Sequence, residues 1–356
     1  MSHERQTAIA SSACQTENTA AIPPPNAIIA DLEDHLKQVS NRALPIPTSI
    51  SLQAQQFLRE SAERFAATAG QFETPPASDK EGWRKIIAAT NAMFDPMIDK
   101  MLSNAATVER RTIGGVSVGV GTPNDMQHQG RARLCIHGGA FTVLGGRYVM
   151  GDAAQAAAES GCVAYSVDYR MPPDFPYPAA VDDCLAVYRE LLNEYEPRRI
   201  AISGESAGGN LAAAVTLRIR DAGLPLPGAV GLLSPALDLS STGDSWYMNY
   251  GVDVMLTIRR RAGGIYVEER DLLEPYASPL FADFTRGFPP TFIQAGTRDR
   301  LLSDAARMHR ALVNANIEAE LHVWEAMPHG GFGGFSPEDR EIRMQFLKFV
   351  EKHLAA

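Results

Sequence analysis

The sequence lacks the features that would point to a nucleic-acid or membrane partner. Lys and Arg total 33 against 42 Asp and Glu, which gives a formal net charge of −9. A protein that binds phosphate backbones carries a basic patch, and the longest basic run here is Arg259 to Arg261. No run of about 18 apolar residues occurs, and residues 1–21 contain no signal-peptide core. We therefore expect a cytoplasmic protein that binds neither nucleic acid nor membrane.

Cysteine is scarce, and so are histidines with metal-ligand spacing. No C-x-x-C pair occurs, and two of the cysteines fall in apolar, strand-like runs. Buried free thiols in a reducing compartment fit this usage better than a disulfide framework. We expect no metal and no cofactor, because His3, His35, His128, His309, His322 and His353 are not spaced as ligands. The cysteines are Cys14, Cys135, Cys162 and Cys184.

The organisation of the chain changes near residue 105. Residues 1–26 are polar, rich in small residues and end in three prolines, so we predict a loose arm. From about residue 50 to 102, apolar residues recur at helical spacing. Leu58, Ala62 and Phe65 mark one helix, and Trp83 lies in a second whose start, residues 78–81, reads as a capping box. Each helix needs another surface on which to bury its apolar face.

After residue 105, short β-branched runs alternate with glycine-rich turns and helical patterns. This alternation predicts an α/β fold with a mostly parallel central sheet flanked by helices. Sites in such sheets form at the carboxyl ends of the strands, where the loops meet. The predicted strands are RLCIHGG, GCVAYSVDY, RRIAISG, AVGLLSPA, TFIQAG and AELHVWE.

A serine lies between glycines in the stretch GESAGGN, residues 204–210. The pattern G-x-S-x-G alone occurs often by chance, but here it joins a predicted strand to a predicted helix. Such a turn forces Ser206 into a strained conformation, and Gly204 and Gly208 let neighbouring backbone approach. The serine then stands at a helix N-terminus, where N–H groups favour a developing anion. This is the position of a nucleophile, whereas a capping serine would need no partners.

Candidate partners for Ser206 follow other predicted strands. The loop CIHGGAF, residues 135–141, offers backbone N–H groups of the kind that an oxyanion hole requires. Asp299 directly follows the strand TFIQAG, and His329 directly follows the strand AELHVWE. The order Ser, Asp, His and this placement are those of an α/β-hydrolase triad.

From residue 105 to the C-terminus the chain resembles the bacterial hormone-sensitive-lipase-like (family IV) carboxylesterases of the α/β-hydrolase superfamily. The motifs that carry the resemblance are HGGAF, GESAGGN, VDYRMPPDFPYPAAVDD, SPALDLS and GTRDRLLSDA. The resemblance implies a catalytic domain over 105–356, a helical cap over 27–104 and a cap insertion at about 240–275. It also implies hydrolysis of short-chain carboxylic esters through an acyl-enzyme, and a possible homodimer. Some relatives with a similar GTRDxLLSD motif resemble monoterpene ε-lactone hydrolases, so lactones join short-chain esters as expected substrates.

Roles follow from the resemblance residue by residue. Ser206 would be the nucleophile, His329 the general base and then acid, and Asp299 the carboxylate that orients His329. The oxyanion hole would use the N–H groups of Gly139, Ala140 and Ala207. Ala140 stands where the family more often has glycine, so a positive φ there would be strained. An unperturbed imidazole predicts activity that falls as the pH drops through about 6 to 7.

Several acids and two other functions compete with this interpretation. Glu205, Asp238 and Asp304 lie near the motifs, and we expect each to have a structural role. The same scaffold also serves non-catalytic small-molecule receptors, such as the plant gibberellin receptors, which resemble the family but lack the catalytic histidine. An acyltransferase would use the same triad and differ in excluding water. His329 in its expected loop favours the enzyme over the receptor.

Overall fold

The fold is that of a computed structural model, which describes residues 44–68, 75–102, 106–256, 263–268 and 270–354. Side chains are described throughout these ranges except at residues 64–68 and 263. The predicted arm over 1–26, Cys14 and part of the predicted cap lie outside the described residues.

Eight strands form one sheet in the order β1-β2-β4-β3-β5-β6-β7-β8. Strands β3 to β8 pair in parallel, while β2 runs antiparallel to both β1 and β4. The mostly parallel sheet predicted from the alternation is therefore confirmed, and the β1–β2 hairpin adds an antiparallel edge. The strands are β1 Ala106–Ile113, β2 Val116–Pro123, β3 Ala132–Ile136, β4 Val163–Val167, β5 Ile200–Glu205, β6 Ala229–Leu233, β7 Thr291–Gly296 and β8 Ala319–Trp324.

Helices follow most of the strands, as right-handed crossovers between parallel strands require. The central strands are buried on both faces, which explains why their sequences are continuous apolar runs. The helices are α1 Leu52–Thr68, α2 Lys80–Met93, α3 Asp95–Leu102, α4 Arg147–Ser160, α5 Ala179–Leu191, α6 Ala207–Asp221, α7 Asp244–Met248, α8 Gly263–Tyr266, α9 Leu302–Asn314 and α10 Pro337–Leu354.

Two local predictions for the N-terminal helices are wrong in detail. The N-cap of α2 is Asp79, whose carboxylate accepts from the N–H of Gly82, so the capping box predicted from Ser78 does not form. In α1, Leu58 is buried but Ala62 is exposed. The buried face runs through Ala54 and Leu58 instead, which share a core cluster with Met327 and Phe332 of the loop beyond β8 and with Ile342 of α10.

Two further findings concern the state of the cysteines and the length of the helices. Cys135, Cys162 and Cys184 are buried free thiols. Among the described residues, no helix combines the length and apolar character needed to cross a membrane.

Candidate active site

Ser206 occupies a sharp turn between β5 and α6. Its φ of 57° and ψ of −118° are outside the regions that a serine ordinarily adopts. Two hydrogen bonds hold the turn against β6 and its loop: the Ser206 N–H donates to the Leu233 carbonyl over 2.9 Å, and the Ser206 carbonyl accepts from the Ala236 N–H over 3.1 Å. Strain that the surroundings maintain in this way is typical of functional positions.

The glycines of the motif are required by close backbone contacts around this turn. A Cβ on Gly204 would lie 2.2 Å from the Gly208 carbonyl oxygen. A Cβ on Gly208 would lie 2.0 Å from the carbonyl oxygen of Ile136, at the end of β3. No real side chain tolerates such distances, so the G-x-S-x-G spacing reflects the packing of β5, α6 and the loop after β3.

The structure brings Ser206, His329 and Asp299 into one hydrogen-bonded row. The Ser206 hydroxyl lies 2.8 Å from Nε2 of His329. Nδ1 of His329 lies 3.2 Å from Oδ1 of Asp299, which also accepts from the Leu301 N–H over 2.8 Å. Asp299 is fully buried, and each of the three residues lies just beyond the end of its strand, β5, β7 or β8. In this row Nδ1 donates to the carboxylate, so Nε2 is free to accept from the serine.

Three carboxylates control the protonation of His329. Burial alone would lower its pKa, but the charge of Asp299 and its hydrogen bond, together with the charges of Asp253 and Glu205, outweigh burial and raise the pKa to about 9. The imidazolium that forms when His329 takes a proton is thus strongly stabilised.

The loop after β3 passes beside the serine in a left-handed conformation. Gly139 has a φ of 95°, and Ala140 and Phe141 have φ values of 51° and 63°. Ala140 therefore carries the strain foreseen if this position needed a positive φ, of order 1 kcal/mol. The Gly139 carbonyl accepts from the N–H groups of Thr142 and Val143. Within the described ranges, no acceptor takes the N–H of Gly139 or Ala140, so both remain available to a ligand.

His137 anchors the start of this loop and is not a candidate base. It is buried, its ring stacks on Tyr169 with centroids 4.2 Å apart, and its Nδ1 lies 2.8 Å from the Gly138 carbonyl oxygen. The Tyr169 hydroxyl donates to the His137 carbonyl over 2.9 Å. Burial lowers the pKa of His137 to about 4, so the ring is neutral near pH 7.

Of the rival acids, Asp304 and Asp238 have contacts with other groups, whereas Glu205 directly precedes Ser206. Asp304, in the first turn of α9, accepts from the N–H of Asp238, and Asp238 pairs with Arg307 over 2.7 Å. Glu205 keeps an exposed surface, and desolvation by the residues packed around its carboxyl group raises its pKa to about 7. Across the described part of the chain its carboxylate accepts no hydrogen bond, which differs from the support that we expected.

Asp253 was not among the site residues predicted from the sequence. This buried residue lies in the stretch between β6 and β7, outside every recognised motif, and its carboxylate accepts from the N–H groups of both Arg300 and His329. Only its apolar flanks, Val252 and Val254, could have hinted that a buried acid stood there.

Comparison with known proteins shows the family to which the chain belongs. A family model described as the α/β-hydrolase fold matches residues 133–333, more than half of the chain. The chain belongs to this family. It is 37% identical over 213 residues to an acetyl-hydrolase of Streptomyces hygroscopicus, covering 57% of this chain and 69% of the relative. It is 34% identical over 225 residues to an esterase of Acinetobacter venetianus, covering 60% and 73%.

Solved structures place the family member among the esterases related to hormone-sensitive lipase. Esterase E25 superposes with a TM-score of 0.80 at 32% identity, covering 89% of this chain and 99% of that one. An esterase from the bacterial hormone-sensitive lipase family superposes with a TM-score of 0.73 at 29% identity, covering 85% and 99%. The predicted resemblance to this group of carboxylesterases is confirmed.

Proposed function

We propose that this family member hydrolyses carboxylic esters of short acids through an acyl-enzyme on Ser206. One observation carries the assignment of roles: the 2.8 Å contact between the Ser206 hydroxyl and Nε2 of His329, in line with the contact from Nδ1 to Asp299. A nucleophile, a base and an orienting acid in hydrogen-bond reach of one another are what acyl transfer requires. Relatives named acetyl-hydrolase and esterase support the substrate class.

In the first half of the reaction, Nε2 of His329 takes the hydroxyl proton while Oγ of Ser206 attacks the ester carbonyl carbon. The carbonyl oxygen becomes an oxyanion, which the N–H groups of Gly139, Ala140 and Ala207 stabilise. The imidazolium then gives its proton to the departing alcohol oxygen, leaving the acyl group on Ser206. In the second half, His329 takes a proton from water as the water oxygen attacks the acyl carbon. The bond from that carbon to Oγ of Ser206 then breaks, the imidazolium returns its proton to Oγ, and the acid is released.

The helices before the α/β domain act as a cap that shapes the substrate pocket. A cleft of about 320 Å³ lies beside the oxyanion loop and is lined by residues of α2 and α3 together with Leu144 and Tyr148. The Tyr148 ring meets the His137 ring edge-on, with centroids 6.0 Å apart, so the cleft wall is continuous with the loop that holds the oxyanion. Asn91 of α2 accepts from the Leu144 N–H over 2.9 Å.

Other expectations stay predictions. The use of lactones, the insertion at about 240–275 as part of the cap, a homodimer and a cytoplasmic location rest on the sequence alone. A receptor on this scaffold has no use for a histidine paired with serine and acid, and an acyltransferase would differ only in its second acceptor. Neither alternative is favoured by a contact in the described residues.

The proposal is tested with Ser206→Ala. Hydrolysis of p-nitrophenyl acetate should fall by at least about 10³, because the nucleophile is removed. The parent protein, but not the variant, should gain the mass of a phosphonyl group from a fluorophosphonate ester. Ser117→Ala, at a serine of β2 that bonds Arg110, is the matched control and should keep parental activity. Turnover that survives in folded Ser206→Ala would contradict the proposal.

A further inference from the structure

We propose that Asp253 is a positioning residue that holds the loops bearing Asp299 and His329 in register. The inference rests on the proposed function, since it concerns the same row of residues. Residues 244–256, in the stretch between β6 and β7, are here called the clamp segment. The inference gives this segment a part in the reaction, because it fastens the loop that bears Asp299.

The contacts of the Asp253 carboxylate carry this inference. Oδ2 accepts from the N–H of Arg300, directly after Asp299, over 3.0 Å. Oδ1 accepts from the N–H of His329 itself over 3.3 Å. Oδ1 also accepts from Met255 and Leu256 over 3.0 and 3.1 Å, which fixes the carboxylate on its own segment. One buried side chain, 1% exposed, thus joins the backbone of His329 to that of Arg300, the residue after Asp299.

Other contacts fasten the clamp segment to the Asp299 loop alone. The Asn249 amide donates to the Asp299 carbonyl over 2.9 Å, and the Ser245 hydroxyl donates to the Arg300 carbonyl over 2.9 Å. The Arg300 guanidinium donates to the Trp246 carbonyl over 2.9 Å and lies 3.6 Å above the Trp246 ring. The carboxylate of Asp253 reaches His329 as well.

The link matters because both loops lie beyond the ends of their strands. The ladder between β7 and β8 ends at Gly296 and Trp324, so it does not hold Asp299 against His329. Beyond the ladder, the Arg298 N–H donates to the Met327 carbonyl. Two residues further along each loop, the Asp253 carboxylate accepts from Arg300 and His329. A shift of about 1 Å in such a pair can cost about 10²-fold in rate.

The carboxylate also contributes charge. The ionisable groups facing His329 are Asp299, Asp253 and Glu205, and Arg300 lies beside Asp253. Burial and the charge of Asp299 raise the pKa of Asp253, while His329 and the N–H groups of Arg300 and Met255 oppose that rise. The charge of Asp253 in turn raises the pKa of His329.

Asp253→Asn removes the charge with almost no change in shape. The amide oxygen can replace Oδ1, which accepts three N–H groups, and the amide NH₂ then faces the N–H of Arg300. Two opposed donors release the Asp299 loop. We expect kcat/KM for p-nitrophenyl acetate to fall at least about tenfold with KM changed less than about threefold, and the acid limb of the kcat/KM profile to move down by about 0.5 pH unit or more.

Two controls separate positioning from general stability. Asp304→Asn removes another fully buried carboxylate, which lies in the first turn of α9 and accepts from the Asp238 N–H, and it should stay within about tenfold of parental activity with an unmoved acid limb. Asp253→Glu keeps the charge and should keep the acid limb in place. Thermal unfolding is measured on each variant, and if Asp253→Asn yields no folded protein, Asp253→Ser replaces it with the same expectations.

The outcomes distinguish this inference from the proposed function. If Ser206→Ala is inactive, and Asp253→Asn is slow with its acid limb at lower pH, the result supports both the proposed function and this inference. If Ser206→Ala is inactive but Asp253→Asn keeps parental kcat/KM, or slows with an unmoved acid limb, Asp253 is structural and the inference fails while the function stands. If Ser206→Ala stays active, the proposed function itself has failed.

Discussion

At the scale of single residues, the identity of the third member of the row is decided by reach. Asp299 accepts from Nδ1 of His329 and is fully buried, so it can hold the useful tautomer and stabilise the imidazolium. Asp304 follows it by one helical turn or so, but its carboxylate binds the Asp238 N–H on the other side of the loop. Proximity in the sequence therefore does not identify the carboxylate that pairs with His329.

We expect Asp299→Asn to lower kcat by at least about 10² while the protein stays folded, because the amide keeps the shape but can favour the wrong tautomer. Steady-state kinetics on an aryl ester, with circular dichroism as the folding check, measure it. Glu205→Gln provides the comparison at an acid that forms no hydrogen bond in the described structure. Should Asp299→Asn retain most of its activity while Glu205→Gln loses it, the third member has been misassigned.

At the scale of elements, the cap helices are tied to the α/β domain by polar contacts at the edge of the oxyanion loop. Asn91 of α2 binds the Leu144 N–H, and Arg147 at the start of α4 pairs with Asp95 and Asp99 of α3. Leu144 has a φ of 73°, so its conformation is strained and depends on such support. We propose that substrate size is selected in the cleft between these elements.

Asn91→Ala removes one hydrogen bond, worth about 1 kcal/mol or roughly fivefold in affinity. We expect KM to rise at least about threefold for esters with acyl chains long enough to enter the cleft, with kcat changed less than about twofold. A series of p-nitrophenyl esters from acetate to octanoate measures the trend. Asn314→Ala, at an exposed asparagine near the end of α9, is the control. Unchanged KM across the series would contradict the cap role.

At the scale of the whole molecule, the electrostatics of the site depend on charges from distant parts of the chain. Asp299 lies beyond β7, Glu205 at the end of β5 and Asp253 in the clamp segment, and all three raise the pKa of His329. The expectation from an unperturbed imidazole, an acid limb at about pH 6 to 7, therefore moves upward.

Because His329 must be neutral to accept the serine proton, protonation below its pKa abolishes activity. We expect kcat/KM to rise with pH through the neutral range and to reach half of its maximal value at about pH 9, the pKa of His329. Measurement from about pH 5 to about pH 10, with Ser206→Ala as the blank for spontaneous hydrolysis, gives the profile. A profile that is flat from about pH 5 to about pH 8 would count against His329 as the base.

Local physics explains why the sequence by itself determined the fold class and the candidate row. Each central strand is a continuous apolar run because it is buried on both faces, so alternation with helical patterns was readable without coordinates. The turn at Ser206 could be predicted because Gly204 and Gly208 leave room for a close backbone contact that few other turns impose. Ser206, Asp299 and His329 each follow their strands within a few residues, and parallel strands bring such positions to one edge.

Only the tertiary structure decided what depends on contacts between distant segments. Asp253 is separated by 47 residues from Arg300 and by 76 from His329, and no periodicity or motif records those contacts. The pKa of His329 follows from the same convergence of charges. The glycine that the family more often has at Ala140 raised the question of a positive φ, but only the structure shows that Ala140 adopts one, against alanine's own preference.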